Sequence, residues 1–212
     1  MKNKRDRLFF IQLFVLQASQ SSWDRRAERD VRLAIPSAQS VCGMEISMKN
    51  LVLIGMPGAG KSTVGVVLAK QQGYHFVDSD LVIQEETGLL LHEIIEQQGD
   101  DGFRQVENRI NAGLAVKHSV IATGGSVIYG REAMQHLKKI GVVIYLKLSC
   151  ESIASRLGDL RERGITLREG QTLQQLYDER VPLYERYADI TVDCENKSIR
   201  EIVVEIAARL PK

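Results

Sequence analysis

From Met48 onward, short apolar runs alternate with longer segments whose apolar residues recur every three or four positions. Alternation of this kind is the signature of an α/β domain. Strands are predicted near Leu51 to Ile54, His75 to Val77, Val120 to Thr123, Val142 to Leu148 and Ile190 to Val192, with helices filling the gaps. The runs at Val120 and Val142 are apolar on consecutive residues, as strands covered on both faces of a parallel sheet must be. A doubly wound, three-layer α/β/α sandwich follows. Ligands of such sheets bind beyond the carboxyl ends of the strands, which directs attention to Gly55 to Ser62, Asp78 to Asp80 and Thr123 to Ser126.

The first of these stretches, Gly55-Met-Pro-Gly-Ala-Gly60-Lys61-Ser62, fits G-x-x-x-x-G-K-[ST] directly after the first strand. Its glycines let the backbone turn and bring successive N–H groups onto phosphates, while Lys61 supplies charge and Ser62 a hydroxyl for Mg²⁺. Val64, Val67, Leu68 and Gln71 mark the helix that follows, with Gly73 as its stop. The positive end of that helix dipole adds to the phosphate site.

Asp78-Ser79-Asp80 ends the second strand with two carboxylates one residue apart. Ser62 and Asp78 suffice for Mg²⁺, which keeps several waters and takes few protein ligands. Asp80 either orients and deprotonates an attacking alcohol or caps a helix beginning at Leu81. Phe103-Arg104-x-x-Glu107 opens a helix with Val106, Ile110 and Leu114 on its apolar stripe; taken alone, Arg104 and Glu107 read as a solvated pair. Gly124-Gly125 permits close backbone approach to a ligand or makes a plain tight turn. Arg180 stands near the end of a helix that Pro182 interrupts, where it could pair bidentately with a carboxylate. Arg156 to Gly170 holds four arginines (Arg156, Arg161, Arg163, Arg168) and three glycines. That stretch is either a lid that excludes water from phosphoryl transfer or a solvated charged loop.

Composition narrows the partners. Twenty-eight basic against 27 acidic side chains give a net charge of +1, which offers no electrostatic footprint for nucleic acid. Cys42, Cys150 and Cys194 form no C-x-x-C pair, and His75, His92, His118 and His136 lack metal-ligand spacing. A reducing compartment and small-molecule partners are therefore expected. Residues 1–47 differ from the rest, with a basic start, the apolar run Leu8 to Leu16 and then Ala18-Ser19-Gln20. The run is too short to span a bilayer, and Met48 stands just before the first strand as a start codon would. We expect an N-terminal extension without stable structure, or a start misassigned upstream of Met48, in preference to a functional signal.

Together the motifs resemble those of the shikimate kinase family over nearly all of residues 48–212. The matching stretches are L-I-G-M-P-G-A-G-K-S-T-V-G (Leu53 to Gly65), F-V-D-S-D (Phe76 to Asp80), G-D-D-G-F-R-x-x-E (Gly99 to Glu107), A-T-G-G (Ala122 to Gly125) and R-x-P-L-Y (Arg180 to Tyr184). The resemblance implies a P-loop kinase fold with a five-stranded parallel sheet and a mobile lid. It implies ATP-dependent phosphorylation of the shikimate 3-hydroxyl on the way to chorismate and the aromatic amino acids, by a cytoplasmic monomer with no membrane partner. Gly58, Ala59, Gly60, Lys61, Ser62 and Thr63 would hold ATP, with Mg²⁺ at Ser62 and Asp78. Lys61, Asp78 and Asp80 would carry the chemistry, Asp80 also binding the shikimate hydroxyls. Arg104 and Arg180 would clamp the carboxylate, oriented by Glu107, and Gly125 would add a backbone contact. Lys197 would lie against the adenine. Counting back from Arg180, Arg161 would be the lid arginine that reaches the phosphates, with Arg163 and Arg168 as alternatives. The family usually has a third glycine where this chain has Ser126, and its usual lid motif R-P-L-L is absent here. These departures leave open a related kinase for another small hydroxy acid or polyol. A GTPase-like switch would need N-K-x-D, and Asn196-Lys197-Ser198-Ile199 lacks the aspartate.

Overall fold

The computed structural model describes residues 49–157 and 170–210. Every described residue belongs to one compact unit. The expectations for residues 1–47, and for Arg161, Arg163 and Arg168 of the proposed lid, lie outside the described residues.

Five strands form one parallel sheet, each within a residue or two of its predicted bounds. They are β1 (Asn50–Ile54), β2 (His75–Asp78), β3 (Ser119–Ala122), β4 (Gly141–Lys147) and β5 (Ile190–Asp193), in the order β2-β3-β1-β4-β5. Every residue of β1 and β3 is buried, the double-sided coverage that their unbroken apolar runs anticipate. Asn50 is the polar exception: it is 2% exposed and spends its amide on Val116 O and Ser119 N, tying the start of β1 to that of β3. Leu53 and Asp78 both stand opposite Ala122, so β1, β2 and β3 end at nearly one level.

The helices are α1 (Lys61–Gln72), α2 (Ser79–Thr87), α3 (Leu91–Ala112), α4 (Arg131–Ile140), α5 (Cys150–Leu157), α6 (Leu173–Tyr187) and α7 (Ile199–Arg209). Gly73 ends α1 as expected, at φ 71° with its N–H on Ala69 O. The stripe that α1 buries is Val64, Gly65, Leu68 and Ala69; Val67, expected on it, is exposed. At 100° per residue Val67 turns away from the side shared by Val64 and Leu68. Within α3 the backbone breaks at Gly99 (φ 69°, ψ 179°), so the segment carrying Arg104 and Glu107 starts afresh behind Asp100 and Asp101, whose charges suit a helix N-terminus.

Pro182 does not end its helix: α6 continues through it to Tyr187, and Arg180 lies mid-helix. The missing N–H costs one helical hydrogen bond, offset by the burial of Leu176 and Tyr184 on the inner face of α6. Most apolar residues join one core around the sheet, and a smaller cluster of Ile83, Ile94, Phe103 and Ile110 locks α2 against α3. Tyr184 links core to site: its ring stacks on Tyr145 at 5.1 Å and its hydroxyl donates to Gly125 O at 2.6 Å. Tyr184→Phe should keep the stacking but strip the Gly125 carbonyl of its donor, lowering stability in urea denaturation by about 1–2 kcal/mol.

Candidate active site

The phosphate loop is a string of backbone turns that need glycine. Gly58 (φ 79°) and Gly60 (φ 89°) occupy left-handed conformations, and a Cβ on Gly58 would also press to 2.9 Å from Leu157 Cδ2. Gly60 precedes the first turn of α1, so the free N–H groups of that turn open onto the loop. Lys61 Nζ is folded back onto its own loop, donating to Gly55 O at 2.9 Å and Met56 O at 3.1 Å. Burial pulls its pKa down to about 8, against the opposing attraction of Asp80. It remains largely protonated at neutral pH.

Asp78 is the N-cap of α2: its Oδ1 accepts from Asp80 N at 3.1 Å, while its Oδ2 accepts from Ser62 Oγ at 2.7 Å. The capping role considered for Asp80 therefore belongs to Asp78, because α2 starts at Ser79 and not at Leu81. Asp80 is left free to face the cavity, with Oδ1 buried and without a hydrogen-bond partner among the described residues. Burial, reinforced by Asp78, pushes its pKa up to about 6.

Glu107 corrects the surface-pair reading. It is 1% exposed, and Ser126 Oγ donates to its Oε2 at 2.6 Å. Arg104 instead pairs with the exposed Asp101 at 3.8 Å, and no ion pair joins Glu107 to either Arg104 or Arg180 among the described residues. Ser126 thus holds Glu107 by a direct hydrogen bond, while the Glu107 charge acts on Arg180 through space without an ion pair. Glu107 Oε1 has no hydrogen-bond partner among the described residues. A side chain at Gly124 would overlap this oxygen and reach 3.0 Å from Asp80 Oδ1, so the two unpartnered oxygens converge beside that glycine. Burial drives the Glu107 pKa up to about 7 against the pull of Ser126.

One cavity of about 620 Å³ is lined by Pro57 to Val64, Asp80, Glu107, Thr123 to Ser126 and Lys197. Arg156 and Leu157, at the described edge of the proposed lid, also line it. Lys197 shares this wall but its Nζ is held by Glu205 at 2.7 Å. Arg180, 4% exposed, lies behind Gly125: a Cβ there would meet Arg180 Nη1 at 3.2 Å and Pro57 at 2.8 Å. Arg104 and Arg180, from α3 and α6, both reach the ring of Tyr129, at 4.4 and 5.4 Å from its centroid. Sequence reasoning missed Tyr129 and the Ser126–Glu107 bond, whose partners come from separate elements with no local pattern to announce them. The histidines lie on the surface or in packing, His118 stacking on Tyr74 at 4.0 Å and His136 reaching Leu114 O at 2.7 Å.

A parallel sheet with a phosphate loop after β1, acids after β2 and glycines after β3 defines a P-loop kinase of the nucleoside-monophosphate-kinase type. Residues 57–211 match the sequence model of the family described as Shikimate kinase. The chain belongs to the shikimate kinase family. It is 40% identical over 162 residues to the shikimate kinase of Thermodesulfovibrio yellowstonii, covering 75% of this chain and 93% of that one. It is 36% identical over 164 residues to that of Persephonella marina, covering 77% and 99%. Among solved structures, the shikimate kinase from Acinetobacter baumannii in complex with shikimate superposes with a TM-score of 0.71 at 33% identity, covering 78% of this chain and 97% of that one. The Aquifex aeolicus shikimate kinase gives 0.65 at 33% identity, covering 75% and 94%.

The buried Glu107 has a consequence for stability. An acid whose pKa rises from 4.5 to about 7 on folding favours the native state below that range, and loses this contribution as pH rises through 7. Glu107→Gln removes the ionisation, so its stability relative to the parent should climb by about 1–3 kcal/mol between pH 5 and pH 8, read by urea denaturation at each pH.

Proposed function

We propose that this chain transfers the γ-phosphoryl group of ATP to the 3-hydroxyl of shikimate, yielding shikimate 3-phosphate and ADP on the route to chorismate and the aromatic amino acids. The observation that carries this reading is the single cavity in which the phosphate loop meets Asp80, Glu107 and the glycine turn. The shared name of the relatives, at 36–40% identity, favours shikimate over another small hydroxy acid.

The work asked of the protein is positioning and charge neutralisation, because phosphoryl transfer passes through a loose transition state. Backbone N–H groups from Gly58 to Thr63 cradle the ATP phosphates. Lys61 exchanges the Gly55 and Met56 carbonyls for phosphate oxygens, and its burial strengthens each contact. Ser62 and Asp78 fit Mg²⁺ chemically, as a hydroxyl and a carboxylate oxygen already within 2.7 Å of each other at the mouth of the loop. When bound there, the ion would offset phosphate charge. Asp80 Oδ1, unpartnered and facing the cavity, orients the acceptor hydroxyl and takes its proton. Arg104 and Arg180 hold the acceptor carboxylate, Gly125 lets the acceptor approach the backbone, and Lys197 flanks the adenine. In this reading residues 48–212 form the kinase domain, acting as a cytoplasmic monomer on small molecules without nucleic-acid or membrane partners. Among the described residues no helix is long and apolar enough to cross a membrane.

The direct test is ADP release by the full chain with Mg-ATP, with and without shikimate and beside a panel of other hydroxy acids; stimulation by another acid but not by shikimate would overturn the assignment. Lys61→Ala should lower kcat at least about a hundredfold. Arg104→Ala should raise the shikimate KM by about tenfold or more while changing kcat less, and an unchanged KM would remove Arg104 from the carboxylate site.

A further inference from the structure

Tyr129 closes a short 3₁₀ turn, Val127–Tyr129, just beyond the glycine turn at the end of β3. Arg104 and Arg180 come from different helices, and this ring is the group that both guanidiniums contact. The Arg104 guanidinium carbon lies 4.4 Å from the ring centroid, and that of Arg180 lies 5.4 Å from it. Arg180 Nε also donates to the Tyr129 hydroxyl at 3.4 Å, and that hydroxyl donates to Glu179 Oε1 at 2.7 Å. Burial and the Glu179 bond raise the phenol pKa above its usual range, so the ring stays neutral and keeps both bonds.

Two like charges near one another repel, and Arg180 is 4% exposed with no carboxylate within ion-pair distance among the described residues. The face of an aromatic ring and a phenol oxygen supply the missing negative potential without neutralising either cation. Both arginines therefore keep their charge for a ligand. We propose that Tyr129 is a positioning residue for acceptor recognition, holding Arg104 and Arg180 in place for a single acceptor carboxylate before that carboxylate arrives. The inference rests on the assignment of those two arginines as the carboxylate clamp. Preorganisation of this kind lowers the ordering cost of binding, so its loss falls on acceptor affinity rather than on the transfer step.

The test compares the full-length parent, Tyr129→Leu, Tyr129→Phe and Arg104→Ala in steady-state assays with shikimate and with its primary amide, which lacks the anionic charge. Tyr129→Leu should raise the shikimate KM by about tenfold, leave kcat within about twofold and leave the ATP KM unchanged. Tyr129→Phe keeps the ring and should recover most of that loss. With the amide, the parent and Tyr129→Leu should differ little. An unchanged shikimate KM in Tyr129→Leu, beside a raised one in Arg104→Ala, overturns the role of Tyr129 while sparing the clamp. An equal loss for shikimate and its amide overturns it too, as a general packing effect. An unchanged KM in Arg104→Ala removes the clamp itself and the proposal with it. Should Tyr129→Leu fail to fold, Tyr129→Met, close to tyrosine in reach but without a π face, replaces it in the same comparison.

Discussion

Ala122 stands opposite both Leu53 and Asp78 in the parallel register, and the site depends on that alignment. Because β1, β2 and β3 end together, the loops that leave them open onto one cavity. A shift of one strand by a single residue would turn its side chains to the other face of the sheet. The Asn50 bridge to Val116 and Ser119 holds the opposite ends of β1 and β3 in step, which makes a buried amide far from the chemistry part of its geometry. Thr123 continues the alignment one residue further, with both its N–H and its hydroxyl on Leu53 O.

The cavity and its rear wall concentrate charge where little water reaches. Lys61, Glu107 and Arg180 are each less than a tenth exposed, and Asp80 has a buried oxygen without a partner among the described residues. In a completed core such groups would be paired, since unpaired buried polar atoms are costly. Here the imbalance has a direction: Asp80 Oδ1 and Glu107 Oε1 converge beside Gly124, and Lys61 donates to carbonyls of its own loop. These groups are arranged for phosphates and hydroxyls that arrive later, so part of the folding free energy is held back for binding. Ser126, where the family usually has glycine, answers one oxygen of Glu107 and leaves the other to the cavity.

Much of this was legible in the chain. Strand positions followed from the apolar runs, the phosphate loop from Gly58, Gly60, Lys61 and Ser62, and the end of α1 from Gly73. Each depends on neighbours in sequence, through side-chain period or the conformational freedom of glycine. Errors arose where a residue's partner was distant. Taken alone, Glu107 and Arg104 read as a surface pair because they are three apart on one helix, yet Glu107 bonds Ser126, brought in from the end of β3. Pro182 was read as an interruption, yet the buried face of α6 carries the helix through it.

By itself, then, the sequence determined the order of elements, the parallel α/β class, the phosphate loop and the family, because these are written in local periodicity and contiguous motifs. The tertiary structure alone decided which groups are buried, that Asp78 and not Asp80 caps α2, that Glu107 bonds Ser126, and that Arg104 and Arg180 meet at Tyr129. Those outcomes turn on the register of three strands and on the backbone break at Gly99, which rotate side chains toward partners dozens of residues away. Burial then sets their charge state, and no local pattern encodes burial for a polar residue.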